Sequence, residues 1–258
     1  MKRLGSKIVL AAAVALTALV AAGDDLRDAP RLPTEEFHFV RMYYDNYGGG
    51  YGGGFRGYGR GRFDTDFPEA EQHFTLGVGR LTRVDIGQRA RLIEVTDDMI
   101  FDYPWLYAVE VGRWYLDDTE AARLREYLLR GGFLMTDDFH GTQQWQIFVE
   151  SMQRVFPDRP IVEIPDEDEV KHVVYDLTEH IQIPGIAALR FGVTYEQDGV
   201  TPHWRGIYDD EGRLMVAINF NMDLGDAWEL ANEPYYPEPM TALATRYAVN
   251  YVIYAMTH

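Results

Sequence analysis

The sequence contains no cysteine, which removes every thiol mechanism and every disulfide. Serine is almost missing as well. Beyond Ser6 the only one is Ser151, inside a helical stretch, and no G-x-S-x-G turn presents a nucleophile. Beyond Lys2 and Lys7 the only lysine is Lys171, so a Schiff-base mechanism has one candidate. The G-x-x-x-x-G-K-[ST] pattern does not occur, which excludes a P-loop nucleotide enzyme. Positive charge is scarce: Lys and Arg number 24 against 41 Asp and Glu, a net charge of −17. Such a chain repels nucleic acid and anionic lipid, so neither is an expected partner. The H-E-x-x-H and D-x-D-x-D-G patterns are absent too, so no complete metal set is legible and no metal or cofactor is expected.

The N-terminus carries a different message. Lys2 and Arg3 precede an apolar run from Ile8 to Ala22, and small residues lead into Gly23-Asp24-Asp25. A basic region, a short apolar region and a small-residue cleavage site make a secretory signal peptide over residues 1–23. A membrane anchor would need about 20 apolar residues, longer than this alanine-rich run. Cleavage removes Lys2, Arg3 and Lys7 and no acid, which moves the formal charge from −17 to −20. The expectation is an exported protein, periplasmic or extracellular, with no transmembrane segment after cleavage.

Residues 24–36 form a polar lead, and residues 37–258 suit a single α/β domain. Phe37 to Tyr44 reads as the first strand. Residues 46–62, NYGGGYGGGFRGYGRGR, are a Gly/Tyr/Arg-rich segment that has no means of burying a core and is expected to be a flexible loop. Phe67, Ala70, Phe74, Val78 and Leu81 fall at helical spacing over 67–83. Short buried strands are expected at Leu92 to Val95 and Leu106 to Val111. Asp117 with Glu120 starts a helix that stops at Gly131-Gly132. Phe133 to Thr136 is the next strand, followed by a helix from Thr142 to Val155 and a short strand at Ile161 to Ile164. Trp204–Tyr208 and Leu214–Phe220 read as a β-hairpin, and a helix from Pro239 to Met256 closes the chain. Strand and helix alternate through the first half. The predicted architecture is a mostly parallel sheet with helices on both faces and an added hairpin.

The segment YPWLYAVEVGRWYLDDTEAARLREYLLRGGFLMTDDFHG, residues 103–141, resembles the domain-of-unknown-function 4159 family. The resemblance continues through residues 206–229 and the C-terminal NYVIYAMTH. It implies a fold like that of class I glutamine amidotransferases and trehalose-utilisation-type proteins. In those amidotransferases, a strand entered through paired glycines ends in a sharp turn bearing the cysteine nucleophile. Here the corresponding stretch is Thr136-Asp137-Asp138-Phe139-His140, which has no thiol, so glutamine hydrolysis by that mechanism is lost.

Ligands of parallel α/β sheets gather at the carboxyl ends of strands, where Asp137, Asp138, His140 and Gly141 would lie. Two carboxylates and an imidazole have the chemistry to bind a ligand or share acid/base work. The structural alternative is that one aspartate caps the following helix, the other bonds the turn, and His140 packs. Asn219, Asn221, Asp223, Asp226, Trp228 and Glu229 read as a polar loop. That loop would complete a pocket with an aromatic wall, or else form an acidic surface anchored by Trp228. His203 and Trp204 are weaker candidates. Three functions remain open: a non-catalytic module binding a small polar ligand or an envelope protein; a metal-assisted hydrolase of carbohydrate-like substrates using Asp137, Asp138 and His140; and a structural envelope partner using the Gly/Tyr/Arg segment.

Overall fold

The structure, a computed structural model, describes residues 35–46 and 62–258. The expected signal peptide, almost all of the polar lead and residues 47–61 of the Gly/Tyr/Arg segment lie outside the described residues. The strands are β1 (Val40–Tyr43), β2 (Asp45–Asn46), β3 (Arg91–Glu94), β4 (Trp105–Val109), β5 (Trp114–Tyr115), β6 (Phe133–Asp137), β7 (Val162–Glu163), β8 (His203–Tyr208) and β9 (Leu214–Phe220). The helices are α1 (Glu69–Leu81), α2 (Asp118–Leu129), α3 (Gly141–Val155), α4 (Ile186–Arg190), α5 (Leu224–Glu229) and α6 (Glu238–Thr257).

Seven strands form one sheet in the order β3-β1-β4-β6-β9-β8-β7, and β2 pairs with β5 apart from it. The strands from β3 to β9 run parallel; β8 and β7 turn the far edge antiparallel. This is the predicted α/β architecture, hairpin included. The central strands are apolar on both faces, as a sheet covered on both sides requires. In β4, Trp105, Tyr107 and Val109 face one core with Phe74 of α1, Trp228 of α5 and Tyr247 of α6. Leu106 and Ala108 face the other, with Leu124 and Leu128 of α2 and Phe148 and Met152 of α3.

Local chemistry explains the element ends. Asp117 accepts from the amides of Thr119 and Glu120, both at 2.8 Å, while the Glu120 carboxylate accepts from the Asp117 amide at 2.8 Å. This reciprocal capping starts α2 where the sequence predicts it. The helix ends with Gly131 at φ 107°, a conformation that costs glycine nothing. Two expectations need correction. Phe67 and Leu81 are exposed, because Phe67 precedes α1 and Leu81 closes its last turn; the buried stripe is Ala70, Phe74 and Val78. The strand expected at 92–95 lies at the sheet edge, so Arg91 and Ile93 are covered while Leu92 and Glu94 face out.

Candidate functional site

Phe133, Met135 and Asp137 alternate onto one face of β6, so the last of them emerges at the carboxyl end of the central strand above an apolar floor. Asp137 is completely buried. Its Oδ2 accepts from the amides of Leu224 (2.8 Å) and Gly225 (2.9 Å) and from the Tyr107 hydroxyl (3.2 Å). Its Oδ1 is buried with no hydrogen-bond partner. Burial first, and the Asp138 charge second, push the Asp137 carboxyl up to about 8.

Asp138 takes a left-handed conformation, φ 50°, at the sharp turn after β6. Asparagine and aspartate tolerate this region better than other non-glycine residues. Its amide bonds Met222 O, and the amide of Asn221, itself at φ 63°, bonds Phe139 O, so two turns interlock past the ends of β6 and β9. The Asp138 side chain is 13% exposed, and its Oδ1 lies 3.1 Å from His140 Nε2. His140 is buried with Nδ1 unpartnered, and burial lowers the pKa of its ring.

Neither aspartate caps α3. Its N-cap is His140, which makes no capping bond; Gly141 N donates to Asn221 Oδ1 (2.9 Å) and Thr142 N to Asp198 Oδ1 (2.8 Å). Gly141 has φ 74°, and a Cβ there would meet Asp198 Oδ1 at 2.1 Å, so glycine is required twice over. Asp137 instead anchors α5, the stretch the sequence suggests is a polar loop. Asp223 is the N-cap of α5, accepting from Asp226 N at 2.7 Å, and Asp226 Oδ2 accepts from Ile186 N at 2.6 Å.

The structure brings Asp138, Asp223, Asp226 and Glu229 together with Asp66, a residue the sequence does not single out as part of a site. Carboxylate oxygens of Asp66, Asp138 and Asp223 lie within 4.8 Å of one another, as do those of Asp66, Asp226 and Glu229. Asp66 Oδ2 is buried and unpartnered. Arg41 of β1 sets the approach to Asp66: it pairs with the buried Glu71 and donates to Phe63 O (2.9 Å) and Thr65 O (2.7 Å). Two glycines make the room. A Cβ on Gly225 would meet Asp66 Oδ2 at 2.4 Å, and one on Gly185 would meet Asp223 Oδ2 at 2.7 Å and Glu196 Oε1 at 2.8 Å.

Burial, then repulsion from neighbouring acids, raises Asp66, Asp138 and Asp223 well above the usual carboxylate range, with Glu110 the first of those acids at Asp138. Two ionised carboxylates at the edge of a 4.8 Å group repel by roughly 3 kcal/mol at an effective dielectric of about 20. Full ionisation of the group is therefore disfavoured, and a proton shared among its oxygens relieves the repulsion.

Other predicted site residues go elsewhere. Trp228 is not a pocket wall: it is 1% exposed and packs on Phe74 and Tyr107, because α5 turns its apolar side into the core. His203 pairs with Glu163 at 2.8 Å and stacks on Phe220, and Trp204 packs on Tyr247. Lys171 is buried against Asp166 at 2.8 Å. Asn219 lies in β9, where it ties Thr136 O to the Tyr251 hydroxyl.

A protein-family model described as "Domain of unknown function (DUF4159)" matches residues 56–256. Comparison with curated proteins finds no match.

Proposed function

Since the chain belongs to the DUF4159 family, a family that brings no activity with it, we propose from the site alone that it is a non-catalytic module binding a small polar ligand. The ligand sits at the carboxyl end of β6, beside Asp137, Asp138, His140 and Gly141 with Asp223 and Asp226. One observation carries this reading: a fully buried carboxylate, Asp137, is fixed through one oxygen by three donors while its other oxygen has no partner. Unmet buried acceptors are rare in folded proteins, and a ligand that donates to one recovers its desolvation cost. The N-terminal sequence supports export, and with it a place in the cell envelope.

The test is thermal unfolding of the protein against a panel of sugars, amines and divalent cations, repeated with Asp138→Asn and His140→Ala. A ligand that binds the native state raises the melting temperature by mass action. A rise that both substitutions abolish supports the reading. No rise with any compound, and two variants that simply melt earlier, makes the turn structural and removes it.

A second reading has its own support. A metal-assisted hydrolase requires Asp138 to converge with Asp223 and His140, and it does so: the two carboxylates share a group and His140 Nε2 bonds Asp138. In that reading His140 and Asp138 exchange a proton beside a Lewis acid. Hydrolysis of chromogenic glycosides or esters that is lost on chelation and in His140→Ala would favour it over simple binding.

A further inference from the structure

We infer that the site's ligand is a pair of hard divalent cations held side by side, with Asp66 as the shared ligand between them. The inference rests on the binding reading above and names the chemistry of what is bound.

Asp66 belongs to two separate groups. With Asp138 and Asp223 it makes one oxygen triad, and with Asp226 and Glu229 a second, each with its ligand atoms within 4.8 Å of one another. Oxygens bound to one calcium-sized ion at about 2.3–2.6 Å cannot be much further apart than this. A carboxylate common to both triads is what a two-cation centre uses, its ions about 3.5–4 Å apart. The donors are all carboxylates, which suits calcium, magnesium or manganese rather than a thiolate- or imidazole-preferring metal.

Acidic residues alone would not make a site. Asp137 supplies an independent observation. It is fully buried, its Oδ1 lacks a partner, and its Oδ2 is bonded to the amide of Gly225, the residue on which Asp66 rests. The Tyr107 hydroxyl that donates to Asp137 and the Asp66 carboxylate both lie against the place a Gly225 Cβ would take, so the Asp137 carboxyl stands next to the group through Tyr107 and Gly225. His140 sits behind Asp138 at 3.1 Å, the place of an outer partner that orients a metal-binding carboxylate. Gly225 and Gly185 leave free the volume in which these oxygens meet.

The experiment is calorimetric titration of the chelator-stripped full chain with calcium, magnesium and manganese. A parallel titration with terbium reads emission sensitised by the neighbouring Trp228. Two equivalents are expected in the parent. Asp138→Asn should leave one, Glu229→Gln should leave one, and Asp66→Asn should leave none. Asparagine tolerates the φ of 64° at position 66. With one mutually repelling charge removed, Asp66→Asn should melt in chelator at or above the parent temperature, which separates lost binding from lost folding. One equivalent in the parent, or two that survive Asp66→Asn, overturns the bridged pair. If no cation binds while a sugar or amine still raises the melting temperature, this inference falls and the binding reading stands. If nothing binds at all, both fall.

Discussion

Asp66 Oδ2 lies 2.4 Å from where a Cβ on Gly225 would stand, so the one position in α5 that lacks a side chain is the position a carboxylate from before α1 occupies. Gly225→Ala must therefore move the Asp66 side chain. The backbone gains about 1 kcal/mol of helix preference, and the displaced carboxylate can swing away. The net change in urea-unfolding stability should stay within about 2 kcal/mol. The ligand- or cation-induced rise in melting temperature should fall by more than half. A variant that keeps the parent's full response would show that Asp66 has no part in binding.

Asp137 has a structural task whatever the site binds. Its Oδ2 accepts from the amides of Leu224 and Gly225. Asp137→Ala leaves both buried donors unmet and should cost roughly 2–5 kcal/mol. Asp137→Asn keeps one accepting oxygen and should cost less than about 1 kcal/mol. Chemical denaturation of the two variants checks the gap; equal losses would mean that the amides find other partners and that the carboxylate does not anchor α5.

The difference between what was legible and what was not follows from chain distance. The helix at Asp117–Leu129 is written locally, in a capping pair three residues apart and a glycine stop, and it forms there. The strand ending in Asp137 is equally plain, because a parallel α/β alternation puts strand carboxyl ends together. The group around Asp66 has no such signature. Its members come from four stretches, before α1, after β6, at the start of α5 and at its end, and no spacing rule links residues 66, 138, 223 and 229. Trp228 misled for the opposite reason: acids surround it in sequence, yet the short helix packs the indole into the apolar core while Asp223 and Asp226 are buried against backbone amides. Asp223-Leu224-Gly225-Asp226 held the available clue, an acid three residues before an amide it can cap.

Asp158 offers a pH test away from the site. Its two oxygens take a forked pair of bonds from Arg125, at 2.8 and 3.0 Å, and these hold its carboxyl down at about 2. In the unfolded chain the group titrates near 3.9, by its unperturbed value. A lowered folded value means stability that is present above about 3.9 and lost as the pH falls through about 2. The pair is solvent-exposed, so the effect is small. The melting-temperature gap between the parent and Asp158→Asn should be visible at pH 5–7 and close between pH 4 and 2. A gap that persists unchanged at pH 2 would assign the contribution to packing.

Arg41 couples folding to the site through a single buried side chain. It is 1% exposed, pairs with the equally buried Glu71, and pins Phe63 O and Thr65 O, the residues that lead into Asp66. Arg41→Met strands the Glu71 charge in the core and should cost about 3–5 kcal/mol. Arg41→Met with Glu71→Leu replaces both ions by apolar groups and should recover most of that loss, since a buried pair often contributes little net stability. The double variant nevertheless frees the two carbonyls from the guanidinium that holds them. Its ligand or cation response should therefore remain weaker than the parent's even though its stability returns. If stability and response recover together, Asp66 is placed by its own turn, and Arg41 is only a structural ion.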